Sequence, residues 1–171
     1  MIKFEQGNLL ATGAQALVNT VNTAGVMGKG IALQFRKAFP ENYEKYRKAC
    51  DEGRVKPGHM FIVDRKSLTN PHYIINFPTK RHWKEKSKLD DIKSGLISLV
   101  EDVKRLGIKS IAVPPLGCGL GGLSWKQVFP LMEEAFNQVP GVEWMIFVPQ
   151  KRTLSKNNIC ATANDFMKDR L

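Results

Sequence analysis

SIAVPPLGCGLGGLSW, residues 110–125, runs from an apolar, β-branched stretch into four glycines and out into a segment of helical spacing. Between Gly117 and Gly122 only Cys118 and Leu120 are not glycine. Residues without side chains leave backbone N–H groups bare, and bare N–H groups ahead of a helix N-terminus suit an anion. Strand, glycine loop and helix in that order are also the building step of an α/β fold. In such folds ligands collect beyond the carboxyl ends of the strands.

The same order occurs upstream. ALVNTV (16–21) reads as a buried strand, NTAGVMGKGIA as a second glycine loop, and GIALQFRKAF (30–39) as a helix stopped by Pro40. Neither loop is a Walker A motif, and VMGKGIA does not satisfy GxGxxG with an acidic residue about 20 positions on. One glycine loop is more often a turn or a cap; two at strand-to-helix junctions favour a pyrophosphate. At the end of the first strand, Asn19 is expected to close a turn. Asn22, at the mouth of the loop, is expected to meet ligand.

The rest of the chain continues the alternation. IKFEQ opens as a short strand, residues 41–51 as a second helix, and HMFIVD and HYIINF as two strands joined by the turn-rich SLTNP. LDDIKSGLISLVEDVKRL (89–106) places Leu89, Ile92, Leu96, Leu99, Val100 and Val103 on one helix face, with Gly107 as its C-cap. SIAVPPL is the next strand, Ser124 the side-chain N-cap of the helix after the late loop, and VEWMIFVP (142–149) the last strand. An α/β sandwich with a largely parallel sheet is expected.

A chain of 171 residues is one ordinary domain, expected over 1–150. After Pro149 the sequence turns polar (KRTLSKNN), so 151–171 is read as a C-terminal tail or the start of a linker. At 43% hydrophobic and 25% charged residues the composition fits neither disorder nor a membrane protein. No apolar stretch nears the roughly 20 residues of a bilayer span, and MIKFEQGNLL lacks a signal-peptide core, so a cytoplasmic protein is expected. Cys50, Cys118 and Cys160 are scattered and odd in number, which points to reduced thiols. Cys118 has no recognisable histidine partner and reads as a packing residue. The three histidines show no ligand spacing, so no metal is expected. The net charge of +10 favours polyanionic partners.

GNLL near the start, ALVNTVN followed by GVMGKGIALQF, and PPLGCGLGGLSW together resemble a macrodomain, the ADP-ribose-binding fold. GVMGKGIALQFRKAFP, NPHYIINFPTKRHW and the late glycine loop narrow the resemblance to the DNA ADP-ribosyl glycohydrolase (DarG) antitoxin type, related to the terminal ADP-ribose glycohydrolases. The resemblance implies a three-layer α/β/α sandwich with a mixed, largely parallel sheet. It implies that Asn8 and Leu9 hold the adenine end and that Asn22 lies at the distal ribose. Gly28, Lys29, Gly30 and Ile31, with Gly117, Cys118, Gly119 and Leu120, would wrap the diphosphate. Asn8 stands where many macrodomains have aspartate.

By composition Lys80, in FPTKRHWKEK after the strand HYIINF, is a solvated charge. By resemblance it matches the catalytic lysine, attacking the anomeric carbon or assisting the departing base. The glutamate-specific relatives add an aspartate in the late loop where this chain has Gly121. Arg81, His82 and Trp83, in a basic run with Lys84, Lys86 and Lys88, are candidate DNA contacts or a solvated loop with Trp83 folded under it.

The expected activity is hydrolysis that frees thymidine bases of single-stranded DNA from ADP-ribose, as antitoxin to a DNA ADP-ribosyltransferase toxin. The alternatives are a non-catalytic ADP-ribose reader, a glutamate-directed protein hydrolase, or a nucleic-acid binder whose loops hold only backbone phosphates. The implied partners are ADP-ribosylated single-stranded DNA, ADP-ribose and a cognate toxin held mostly by a region not in this chain. No cofactor is expected beyond ADP-ribose as ligand or product, no membrane is expected, and the protein is expected to be a monomer.

Overall fold

The computed structural model describes residues 1–149; the tail assigned to 151–171 lies outside them. Strands β1 (Ile2–Glu5), β2 (Ala16–Asn22), β3 (Phe61–Asp64), β4 (Tyr73–Lys80), β5 (Ser110–Val113) and β6 (Glu143–Phe147) form one sheet in the order β1-β6-β5-β2-β4-β3. Every neighbouring pair is parallel except β3 with β4, so the sheet is mixed with one antiparallel edge. Four helices cover it: α1 (Gly30–Ala38), α2 (Pro40–Asp51), α3 (Leu89–Leu106) and α4 (Trp125–Asn137).

The period of two along the strands divides the core. Ala16 and Val18 of β2, with Ile75 and Phe77 of β4, face the cluster built by α3 and α4. Leu17 and Ile74 face Phe35 of α1, and Val21 faces Tyr46 and Ala49 of α2. The three-layer sandwich follows from those two faces. On α3, Ile92, Leu96, Leu99, Val100 and Val103 are buried, each burial stabilising by about 1.5–3 kcal/mol. Gly107 ends that helix at φ +64, in the left-handed region. A Cβ at Gly95 would run into the Phe77 ring, so α3 lies directly on β4.

Three expectations change. β5 stops at Val113, because Pro114 and Pro115 have no N–H for a ladder. β4 runs on to Lys80, so Lys80 is the strand's last residue rather than part of the loop after it. Its partner β2 continues to Asn22 through a register shift after Val21, and the Asn22 and Lys80 backbones end side by side. Ser124 starts α4 without a side-chain cap; its carbonyl, not its hydroxyl, receives the N–H groups of Gln127 and Val128.

Asn19 closes no turn. It is fully buried in mid-strand, opposite Asn76 of β4, and its Nδ2 donates to Asn76 Oδ1 at 3.1 Å. Asn76 in turn donates to Asn42 Oδ1 on α2 at 2.8 Å and to the Phe61 carbonyl at 3.1 Å. The asparagines thus tie β2, β3, β4 and α2 into one register. Replacing Asn76 by alanine strands several buried polar groups and is expected to cost about 3 kcal/mol. A lowered urea midpoint at unchanged m-value is the expected result; an unchanged midpoint would contradict the structural role.

Candidate functional site

Five parallel strands point their carboxyl ends one way, and every candidate residue follows one of those ends. Asn8 comes after β1, residues 22–31 after β2, Lys80 ends β4, and residues 117–121 come after β5. Four strand spacings of about 4.8 Å separate β1 from β4, so the site is elongated, roughly 19 Å from one end to the other. Such a track suits a two-ended ligand better than a single phosphate.

The first loop is built from within. Asn22 is buried; its Oδ1 accepts from the N–H groups of Ala24 and Val26 at 3.0 and 3.3 Å, and its Nδ2 donates to the Val26 carbonyl at 2.7 Å. Tyr46 on α2 holds the same turn, its hydroxyl donating to the Asn22 carbonyl at 2.7 Å. Burial pushes the Tyr46 phenol far up, so it remains a donor. Met27 anchors the loop in the core, while Gly28, Lys29 and Gly30 stay exposed. Asn22 occupies the expected mouth, and what it does there is shape the loop.

The late loop shows why its glycines are not alike. Gly117 sits at φ +70, which favours glycine, and a Cβ there would lie 2.8 Å from Leu123 Cδ1. Gly121 is buried, and a Cβ would collide with Ser87 Oγ and the Gly117 carbonyl oxygen. Gly119 is different: it is exposed, a Cβ would meet nothing within 4 Å, and its φ is ordinary. Packing asks nothing of Gly119, so the bareness of its backbone faces outward. Burial raises the Cys118 thiol to about 11, and its Sγ packs near the Leu116 carbonyl. It stays protonated at neutral pH, as a packing residue would.

Lys80 joins the two loops. Its Nζ donates to the Leu120 carbonyl at 3.3 Å, and Leu120 Cδ1 lies 3.6 Å from where a Gly30 Cβ would be. The end of β4 therefore sets this lysine beside both loops, its backbone paired with Asn22 and its side chain on Leu120. Burial holds the ammonium below the ordinary lysine range. At the far end Asn8 Oδ1 caps a short 3-10 turn, Leu9–Ala11, by accepting from Leu10 N at 3.0 Å. Leu9 itself is buried in the α1-side core, and its carbonyl accepts from Thr12 N and Thr12 Oγ1.

A macro domain profile matches residues 18–132, from the middle of β2 into α4 and across both loops. The chain belongs to the macro domain family. This macrodomain is 50% identical over 149 residues to the DNA ADP-ribosyl glycohydrolase of Thermus aquaticus, covering 87% of the chain and 41% of that relative. The DNA ADP-ribosyl glycohydrolase of Mycobacterium tuberculosis is 52% identical, with 87% and 42% covered. The chain thus spans about four-tenths of the length of the curated relatives it matches. The solved macrodomain of M. tuberculosis DarG superposes with a TM-score of 0.86 at 51% identity, covering 88% of this chain and 99% of that one. Thermosipho africanus DarTG, solved in complex with ADP-ribose, gives 0.79 at 38% identity, with 89% and 43% covered.

Several residues that position the macrodomain's site carry no sequence signal. Asp91 binds Arg81 through two guanidinium contacts of 2.6 and 3.2 Å, which anchors the half-exposed Arg81 to α3. Ser87 N donates to the Gly121 carbonyl at 2.9 Å and its side chain lies under the loop. Trp83 is 48% exposed, so the reading that folds it under the segment is corrected. Among the described residues no helix is long and apolar enough to cross a membrane, and no three of His, Cys, Asp and Glu gather for a metal ion.

Proposed function

We propose that this macrodomain hydrolyses the N-glycosidic bond between ADP-ribose and thymidine bases of single-stranded DNA, as antitoxin to a DNA ADP-ribosyltransferase. The observation that carries the chemistry is Lys80 at the end of β4, its backbone paired with Asn22 and its Nζ donating to the Leu120 carbonyl of the late loop, with partial burial lowering its pKa. The names of relatives at 50–52% identity support DNA as the substrate, and the transferase–glycohydrolase fusion of T. africanus, 41% identical, supports the antitoxin role. Position 121 argues against a glutamate-directed hydrolase, because an aspartate there has no room.

In the proposed reaction the loops hold the diphosphate and present the distal ribose to Lys80. The neutral amine attacks the anomeric carbon; a C–N bond to Nζ forms as the bond to thymine breaks. The base leaves with the bonding pair and takes up a proton. Water then adds to the same carbon and releases Lys80. The ribose ring of the adduct opens to an imine with Nζ, which a reductant traps, and mass spectrometry is then expected to place ADP-ribose on Lys80.

The direction of the lysine's shift sets the pH profile. Desolvation moves the pKa below 10.5, so the amine form appears at lower pH than on a free lysine. kcat/KM is expected to rise with pH along a limb centred below 10.5 and to lose that limb in Lys80→Arg. A profile that falls with rising pH would make the ammonium, as acid to the departing base, the acting form.

The function itself is tested by release of ADP-ribose from a modified oligonucleotide and from a glutamate-modified peptide, side by side. Preference for the oligonucleotide is expected. Preference for the peptide would favour the protein-directed hydrolase, and tight ADP-ribose binding with no release from either would favour a reader.

A further inference from the structure

Between Lys80 and the start of α3 the chain forms an arch whose two feet are fixed. At the first foot the Arg81 carbonyl accepts from Thr23 N at 3.1 Å and Thr23 Oγ1 at 2.8 Å, while the Arg81 guanidinium is held by Asp91. At the second, Ser87 is buried and bonded to Gly121. One foot therefore stands on the first glycine loop and the other on the late loop. Inside the arch Glu85 N donates to the His82 carbonyl at 3.1 Å and Lys84 N to His82 Nδ1 at 3.3 Å, which gives residues 82–86 a defined shape.

What this braced arch displays is an indole and unpaired cations. Trp83 is 48% exposed, with His82 tilted against it at 5.1 Å between ring centroids and Lys84 Nζ 4.8 Å over its ring. Among the described residues Lys84, Lys86 and Lys88 pair with no carboxylate. The methylenes of Lys86 run past Gly122, with Cδ 3.9 Å from where that residue's Cβ would stand, so its side chain borders the late loop. An exposed indole beside lysines without carboxylate partners offers a stacking face and phosphate contacts together, the combination that binds a single strand without reading its sequence.

We propose that residues 82–86 are a track for single-stranded nucleic acid, on which Trp83 stacks a base neighbouring the modified one and Lys84 and Lys86 take backbone phosphates. Lys84 covers the indole in the free protein and moves to a phosphate when a base replaces it on the ring. Three residues span at most about 11 Å, so Trp83 is within reach of the nucleotides next to the one at Lys80. Arg81 does not belong to the track; together with Asp91 it holds the arch in place. The link to catalysis rests on the proposed hydrolase function, whereas the binding does not.

The test measures anisotropy of a labelled, unmodified oligothymidylate across a salt series. Trp83→Ala is expected to weaken binding by roughly 5- to 150-fold, and Lys84→Gln with Lys86→Gln to reduce the salt slope by about 1.4. Binding and slope unchanged in both variants would overturn the track. A second arm compares ADP-ribose release from a modified oligonucleotide with release from ADP-ribosylated thymidine nucleoside. Trp83→Ala is expected to lose far more on the oligonucleotide. Equal losses on the two substrates would overturn the track and leave the hydrolase standing; oligothymidylate binding through Trp83 with no release by the wild type would do the reverse.

Discussion

Lys80→Ala is expected to lower the rate of ADP-ribose release from a modified oligonucleotide by about 10²–10⁴-fold, the usual loss when a positioned reacting group is removed. ADP-ribose itself should still bind. The side chain's contact in the protein is the Leu120 carbonyl, which water can solvate at this exposed position once the ammonium is gone. The two glycine loops are otherwise held by Asn22, Tyr46, Met27 and Ser87, none of which the substitution touches. A variant that binds but does not turn over separates chemistry from binding. Turnover equal to the wild type would remove Lys80 from the mechanism.

Gly121→Asp is the second large effect, and it runs opposite to what the related glutamate-specific loop suggests. An aspartate here does not add a catalytic acid. Its Cβ would press on Ser87 Oγ and on the Gly117 carbonyl, which is backbone and cannot rotate away. Overpacking of that kind costs about 1–3 kcal/mol, and relief requires the 117–121 loop to shift. A displacement of about 1 Å in a positioned site can cost on the order of 10²-fold in rate. A lowered melting temperature together with loss of oligonucleotide turnover is expected. Normal stability with new release from glutamate-modified peptide would show that the late loop is freer than its packing implies.

Much of the fold is legible in the sequence, and the reasons are local. The helix read over 89–106 from its apolar spacing is the helix observed, because Ile92, Leu96, Leu99 and Val103 lie on one face and Gly107 terminates it. The placement of both glycine loops at strand ends followed from punctuation of the same kind. What local pattern does not carry is pairing across the chain. Asn19 looks like a turn residue until Asn76 is set beside it, 57 positions on. Lys80 pairs with Asn22 only because the β2–β4 register shifts by one residue, Thr79 being the extra residue on β4. Ser87 and Asp91 are ordinary polar residues in a charged run, and they matter through Gly121 and Arg81, partners the sequence does not announce. Within GCGLGG the separate reasons for each glycine are likewise invisible: Gly117 and Gly122 answer to backbone conformation at φ +70 and +75, Gly121 to lack of room, and Gly119 to neither.

The most direct test of a single site closed by Lys80 is a crystal structure with ADP-ribose bound. The diphosphate is expected between residues 28–31 and 117–120, with Lys80 Nζ facing the anomeric carbon of the distal ribose at near-attack separation, about 3–3.5 Å. A distal ribose turned away from Lys80, or a diphosphate lying outside the two glycine loops, would contradict it.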